Sequence, residues 1–130
     1  MSDENKQIKA LLVDDDRFLL DMYSLKFKKS GIDIDTAANS ASALDKMKSG
    51  AKYDVVLLDI IMPGMDGLEL LKTIREEKLV PEASFVMLTN QADDFEKAKA
   101  LNIDGYIIKA TMIPSEVVSK VMEVYKNKHK

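Results

Sequence analysis

Five short runs of apolar, β-favouring residues are spaced along the chain, at 8–13, 32–37, 55–58, 84–89 and 105–108, with longer segments of helical character between and after them. This alternation constrains the fold more than any other feature. Strands that alternate with helices pair in parallel through right-handed crossovers. VVLL at 55–58 and the ALLV within 8–13 are continuously apolar, the pattern of strands covered by helices on both faces. In 114–125, Val117, Val118, Val121, Val124 and Tyr125 fall on one helical face and Pro114 suits a first turn. Leu70, Leu71 and Ile74 make a similar stripe in 68–77. In 17–29 the stripe is Leu20, Tyr23 and Phe27, with Met22 and Leu25 competing for the core. The Ala-rich segments 40–48 and 92–101 complete five helices. The predicted architecture is one doubly wound α/β domain over 1–130, with its core at about 8–127 and the polar MSDENKQ as a short loose end.

Composition narrows the function. Hydrophobic residues make up 46% and charged residues 32% of 130 residues, an ordinary globular balance for one domain. A net charge of −3 gives no footprint for direct nucleic-acid binding. The absence of cysteine excludes disulfides, thiol catalysis and thiolate metal sites. No apolar run approaches the ~20 residues of a membrane span and no signal-peptide pattern opens the chain, so a cytoplasmic protein is expected. The sole histidine, His129, lies in a lysine-rich KNKHK end and is expected to be solvent-exposed and idle. Met112 and Met122 are expected to serve the core.

The chemistry lies where the strands end. In open α/β sheets, ligands bind beyond the carboxyl ends of the strands. The first run ends in Asp14, Asp15 and Asp16, the third in Asp59, the fourth in Thr89 and the fifth in Lys109. In a parallel sheet all of these share one edge. Clustered carboxylates repel one another unless a cation neutralises them. Hard oxygen ligands with no His or Cys suit Mg²⁺. A lysine and a hydroxyl beside them complete a clamp for phosphoryl oxygens, and a carboxylate between them can act as a nucleophile and form an aspartyl phosphate.

LLVDDD, VVLLDIIMPGMDG, VMLT and GYIIK, in this order and on these strands, resemble the receiver domains of two-component response regulators. The resemblance covers essentially the whole chain. It implies a flavodoxin-like fold with sheet order 2-1-3-4-5 and a phosphorylation-dependent switch that receives its phosphoryl group from a sensor histidine kinase or phosphotransfer protein. Asp59 matches the phospho-acceptor, Asp14 and Asp15 the acidic pair that holds Mg²⁺, and the Ile61 carbonyl the backbone metal ligand. Lys109 matches the phosphate-contacting lysine, Thr89 the switch hydroxyl, and Tyr106 the aromatic that turns inward on activation. Asp16 matches no metal ligand. The downstream protein target is expected on the face built from 92–125. Pro63, Gly64 and Gly67 supply the turn that lets backbone approach the metal and opens the next helix.

Two positions depart from the family pattern. The lysine is usually followed by a cis-linked proline, here Ala110; the switch threonine is usually followed by Ala or Gly, here Asn90. Asn90 can narrow access to Asp59 or donate to the phosphoryl group, and Ala110 either keeps a cis peptide or lets the 110–113 loop shift Lys109. Two rival readings remain at this level. Asp14-x-Asp16, Thr89 and Lys109 also follow the motif order of haloacid dehalogenase-like phosphatases, with Asp14 as nucleophile and Asp16 as general acid. That reading lacks an acidic pair after Lys109, has no room for a cap and leaves Asp59 unexplained. The other rival is a phosphorylation-independent binding module of receiver shape, against which every key position carries the competent residue type.

Overall fold

The computed structural model describes residues 7–129; residues 1–6 of the predicted loose end, and Lys130, lie outside the described residues. Five parallel strands, β1 (Lys9–Val13), β2 (Asp33–Ala37), β3 (Val55–Leu58), β4 (Ser84–Thr89) and β5 (Gly105–Ile108), form one sheet in the order β2-β1-β3-β4-β5. Five helices, α1 (Arg17–Lys29), α2 (Ser40–Lys48), α3 (Gly67–Glu76), α4 (Phe95–Ala100) and α5 (Pro114–Lys128), connect and cover it. The fold is the flavodoxin-like one expected, with the expected strand order.

Strand alternation builds two cores, one on each face. Leu11, Val13, Val56, Leu58, Phe85 and Met87 point toward α2, α3 and α4, where Ala43, Met47, Leu70, Leu71, Ile74 and Ala98 meet them. Their neighbours Ala10, Leu12, Val55, Leu57, Val86 and Leu88 point toward α1 and α5, against Leu20, Tyr23, Phe27, Val117, Val118 and Val121. Because β3 is central, its four residues are buried on both faces, which is why its sequence carries no polar alternation. Met22 is only half-buried and Leu25 stays exposed, so Leu20, Tyr23 and Phe27 win the competition on α1. Met112 and Met122 pack at the margin of the second core, as expected.

Two helices differ by more than one residue from their sequence-based bounds. The predicted helix at 92–101 divides into a 3-10 turn over Ala92–Asp94 and a short α4. Only Ala98 of α4 is buried, and Asn102 turns the chain out through a left-handed conformation at φ 62°. The predicted helix at 114–125 instead runs on to Lys128. The Lys128 ammonium donates to the Ala83 carbonyl at 2.8 Å and to Asp104 at 3.2 Å, so the lysine-rich end is tied to the sheet rather than merely solvated. His129 is exposed, with its ring stacked against Tyr125.

Candidate phosphoryl-acceptor site

The parallel sheet brings the ends of β1, β3, β4 and β5 to one edge. Backbone bonds place the acids there. The Asp14 N–H donates to the Ala37 carbonyl and the Asp59 N–H to the Val13 carbonyl, so each acid is the first residue past its strand yet still held by the ladder. Asp14 is 1% exposed and Asp59 7%, whereas Asp15 faces solvent. One carboxylate oxygen from each of the three lies within 4.8 Å of the others. Such a hard, all-oxygen set with one open side fits Mg²⁺.

Lys109 reaches into this group from the far edge strand. Its ammonium donates to Asp14 Oδ2 at 2.5 Å and to Asp59 Oδ2 at 3.2 Å. Burial pulls the ammonium down, but the Asp14 hydrogen bond and the Asp59 and Asp14 charges outweigh it and hold Lys109 above its ordinary value. Burial pushes Asp14 up, against the opposing pull of Lys109 and of the Asp16 N–H that Asp14 accepts. Two buried carboxylates sharing one ammonium carry net negative charge, a setting that attracts a further cation.

The loop after Asp59 explains its glycines separately. Gly64 adopts φ +78°, which only glycine takes without strain. Gly67 opens α3 where a Cβ would stand 2.1 Å from the Asp59 carbonyl oxygen, so the helix start and the Asp59 backbone touch. Asp66 and Glu69 form a reciprocal capping box at that start. Ile61, two residues beyond Asp59, presents its side chain to solvent.

Thr89 is fully buried, and its hydroxyl oxygen accepts the Gln91 N–H at 3.2 Å. Tyr106 is half-buried with its ring edge-on to Phe95, and its hydroxyl donates to the Gln91 carbonyl. Gln91 therefore links the two residues expected to switch, a role no local pattern announced because it uses only backbone atoms. The two departures from the family pattern are also partners: the Ala110 N–H donates to Asn90 Oδ1 at 2.9 Å. The Lys109–Ala110 peptide is trans, since no cis bond occurs among the described residues, and Lys109 still reaches both acids.

Asp16 stands apart from this arrangement. Its carboxylate accepts the Leu19 N–H as the N-cap of α1. A side chain spent on capping is poorly placed as a general acid, and the phosphatase-like ordering loses its second acid.

Comparison with known proteins agrees with this geometry. The model of the response regulator receiver domain matches residues 10–121. The transcriptional regulatory protein ResD of Bacillus subtilis is 34% identical over 92% of this chain and 48% of its own length. The alkaline phosphatase synthesis regulator PhoP of the same organism is 32% identical over 89% of this chain and 48% of its own. The chain thus spans about half the length of the curated relatives it matches. Among solved structures, the chemotaxis protein CheY4 of Vibrio cholerae superposes with a TM-score of 0.83 at 28% identity, over 91% of this chain and 98% of that one. The response regulator TrrA of Thermotoga maritima, solved in complex with Mg²⁺-BeF, gives 0.80 at 32% identity over 91% and 99%. Sheet order, site composition and family match converge: the chain belongs to the response regulator receiver domain family.

Proposed function

We propose that Asp59 is the residue that accepts the phosphoryl group in this phospho-accepting signalling switch, and that Asp14, Asp15 and Asp59, with the Ile61 carbonyl, hold Mg²⁺. The observation that carries the reading is the Lys109 ammonium shared by Asp14 at the end of β1 and Asp59 at the end of β3. Mg²⁺ bound there would neutralise the acids and polarise the phosphoryl oxygens. An Asp59 oxygen attacks phosphorus in line, and a new P–O bond forms as the bond from phosphorus to the donor's nitrogen or acyl oxygen breaks. The leaving group keeps that electron pair: an imidazole takes a proton from solvent, and an acyl donor departs as its carboxylate. Lys109 neutralises one phosphoryl oxygen and Thr89 donates its hydroxyl proton to another. Turning toward the phosphoryl group, Thr89 gives up the Gln91 N–H that its oxygen accepts at 3.2 Å. Hydrolysis returns the carboxylate and inorganic phosphate, so the only chemistry is on the chain itself.

The donor is a phosphohistidine on a sensor histidine kinase or phosphotransfer protein, in the cytoplasm. The output is a protein contact on the face of α4, β5 and α5. There Phe95 and Tyr106 line a shallow groove of about 510 Å³ beside Lys120 and Glu123. Reorienting Thr89 and Tyr106 biases that face between two arrangements. The test is intact-mass detection of phosphoryl uptake from a small acyl phosphate with Mg²⁺. Wild type gains one phosphoryl group and Asp59→Asn gains none. Uptake by Asp59→Asn equal to wild type, with loss in Asp14→Asn, would overturn the assignment.

A further inference from the structure

Lys109 has a positioning problem that its own strand does not solve. β5 is the edge strand, so the lysine must cross in front of β4 to reach acids on β3 and β1. The β4–β5 register ends with the pair Thr89↔Ile108, one residue short of it. Beyond that pair the chain turns at once into a 3-10 turn over Lys109–Thr111. The bond that continues the cross-strand connection comes from a side chain: Asn90 Oδ1 accepts the Ala110 N–H at 2.9 Å. Asn90 follows the buried Thr89, and Ala110 follows Lys109. The two residues expected to contact the phosphoryl group are thereby tied together through their immediate neighbours, 20 positions apart in sequence.

The attachment is anchored on both sides. Across the turn, the Thr111 hydroxyl donates to the Ile108 carbonyl at 2.8 Å, which holds the backbone on which Lys109 rides. On the β4 side, the Gln91 N–H is bonded to Thr89 and the Gln91 carbonyl receives the Tyr106 hydroxyl. Asn90 is exposed, so its bond adds nothing to either core, and its geometric effect falls on the loop that carries Lys109.

We propose that Asn90 is a positioning residue for phosphoryl transfer, acting through the Ala110 N–H to fix Lys109 relative to Thr89. This rests on Asp59 being the acceptor and assigns Asn90 neither to shielding the site nor to contacting the phosphoryl group. An effect exerted through one N–H disappears when that N–H is removed, and proline at 110 removes it while leaving Asn90 in place. The experiment is therefore a double-mutant cycle on the rate of phosphorylation by a small acyl phosphate, measured across a Mg²⁺ titration up to saturation, with Asn90→Ala, Ala110→Pro and both together. Asn90→Ala lowers the rate by roughly two- to tenfold, the range of one neutral hydrogen bond. The Mg²⁺ concentration giving half-maximal rate stays unchanged, which a general loosening of the site would not allow. In the Ala110→Pro background Asn90→Ala has no further effect. An equal fold-loss in both backgrounds, or a wild-type rate in Asn90→Ala, overturns the proposal.

Amide hydrogen exchange at Ala110 gives an arm that needs neither proline nor phosphorylation. The Ala110 N–H exchanges slowly in wild type and in Asn90→Asp, which keeps an oxygen acceptor, and fast in Asn90→Ala. Fast exchange in wild type overturns the bond itself. A wild-type chain that takes up no phosphoryl group defeats the Asp59 assignment, while this arm still decides whether Asn90 holds the loop.

Discussion

Gly67 gives the sharpest stability test of how the loop after Asp59 is built. A Cβ there would lie 2.1 Å from the Asp59 carbonyl oxygen, 2.8 Å from its carbon and 2.9 Å from the Ile60 Cα. All three atoms are backbone, and ordinary contact begins at 3.4 Å, so α3 or the end of β3 must shift by more than an ångström. No flexible side chain can absorb that shift. Overpacking against fixed atoms costs about 1–3 kcal/mol, and the backbone identity of the neighbours puts Gly67→Ala at the upper end. For a chain of this size that lowers the melting temperature by about 10 °C. Gly64→Ala is the control: its Cβ meets nothing within 4 Å, and the only penalty is φ +78°, about 1 kcal/mol. Thermal unfolding of both variants by circular dichroism decides the matter. A Gly67→Ala melt equal to wild type, or a smaller loss than in Gly64→Ala, would refute the close approach.

Three further outcomes are expected. Asp15→Asn weakens Mg²⁺ binding in a calorimetric titration; in wild type, Mg²⁺ at a hundredfold excess over Kd adds about 2.7 kcal/mol of stability, and the variant gains less at the same concentration. Arg75→Ala loses a guanidinium stacked 4.5 Å from the Phe85 ring centroid and a 2.8 Å bond to the Asn102 carbonyl, and its urea midpoint falls by the equivalent of about 1–2 kcal/mol with an unchanged slope. Burial, and then the hydrogen bond to Asp35, hold the Tyr53 hydroxyl well above its ordinary value of 10.0; the neutral form is favoured in the folded state, so its contribution is complete below that value and is lost as pH rises through the higher folded one. Tyr53→Phe accordingly flattens the alkaline loss of stability seen in pH-dependent melts.

Much of this was legible in the sequence because it rests on local periodicity and on strand ends. Continuous burial of β3 follows from VVLL, and a parallel sheet then carries Asp14, Asp59, Thr89 and Lys109 to one edge wherever the loops run. What stayed hidden depends on contacts between distant loops. Asn90 and Ala110 could be recognised as unusual one at a time, but their bond needed the geometry at the end of the β4–β5 ladder. Lys128 looked like a solvated tail residue because Asp104 and the Ala83 carbonyl are distant in sequence. Asp16 resembled its acidic neighbours in composition, and only the turn into α1 turned it into a cap. The split at 92–101 has a similar origin: the segment buries one alanine, so little packing holds it to a longer helix.

The central claim is that one carboxylate, Asp59, carries the phosphoryl group. It is tested most directly by phosphorylating the wild-type chain with Mg²⁺ and a small acyl phosphate, reducing the acyl phosphate with borohydride, and mapping the modified residue by peptide mass spectrometry. Reduction converts the phosphorylated aspartate to homoserine and leaves free carboxylates untouched. Homoserine is expected at position 59 alone. Homoserine at position 14, with Asp59 unmodified, would contradict it.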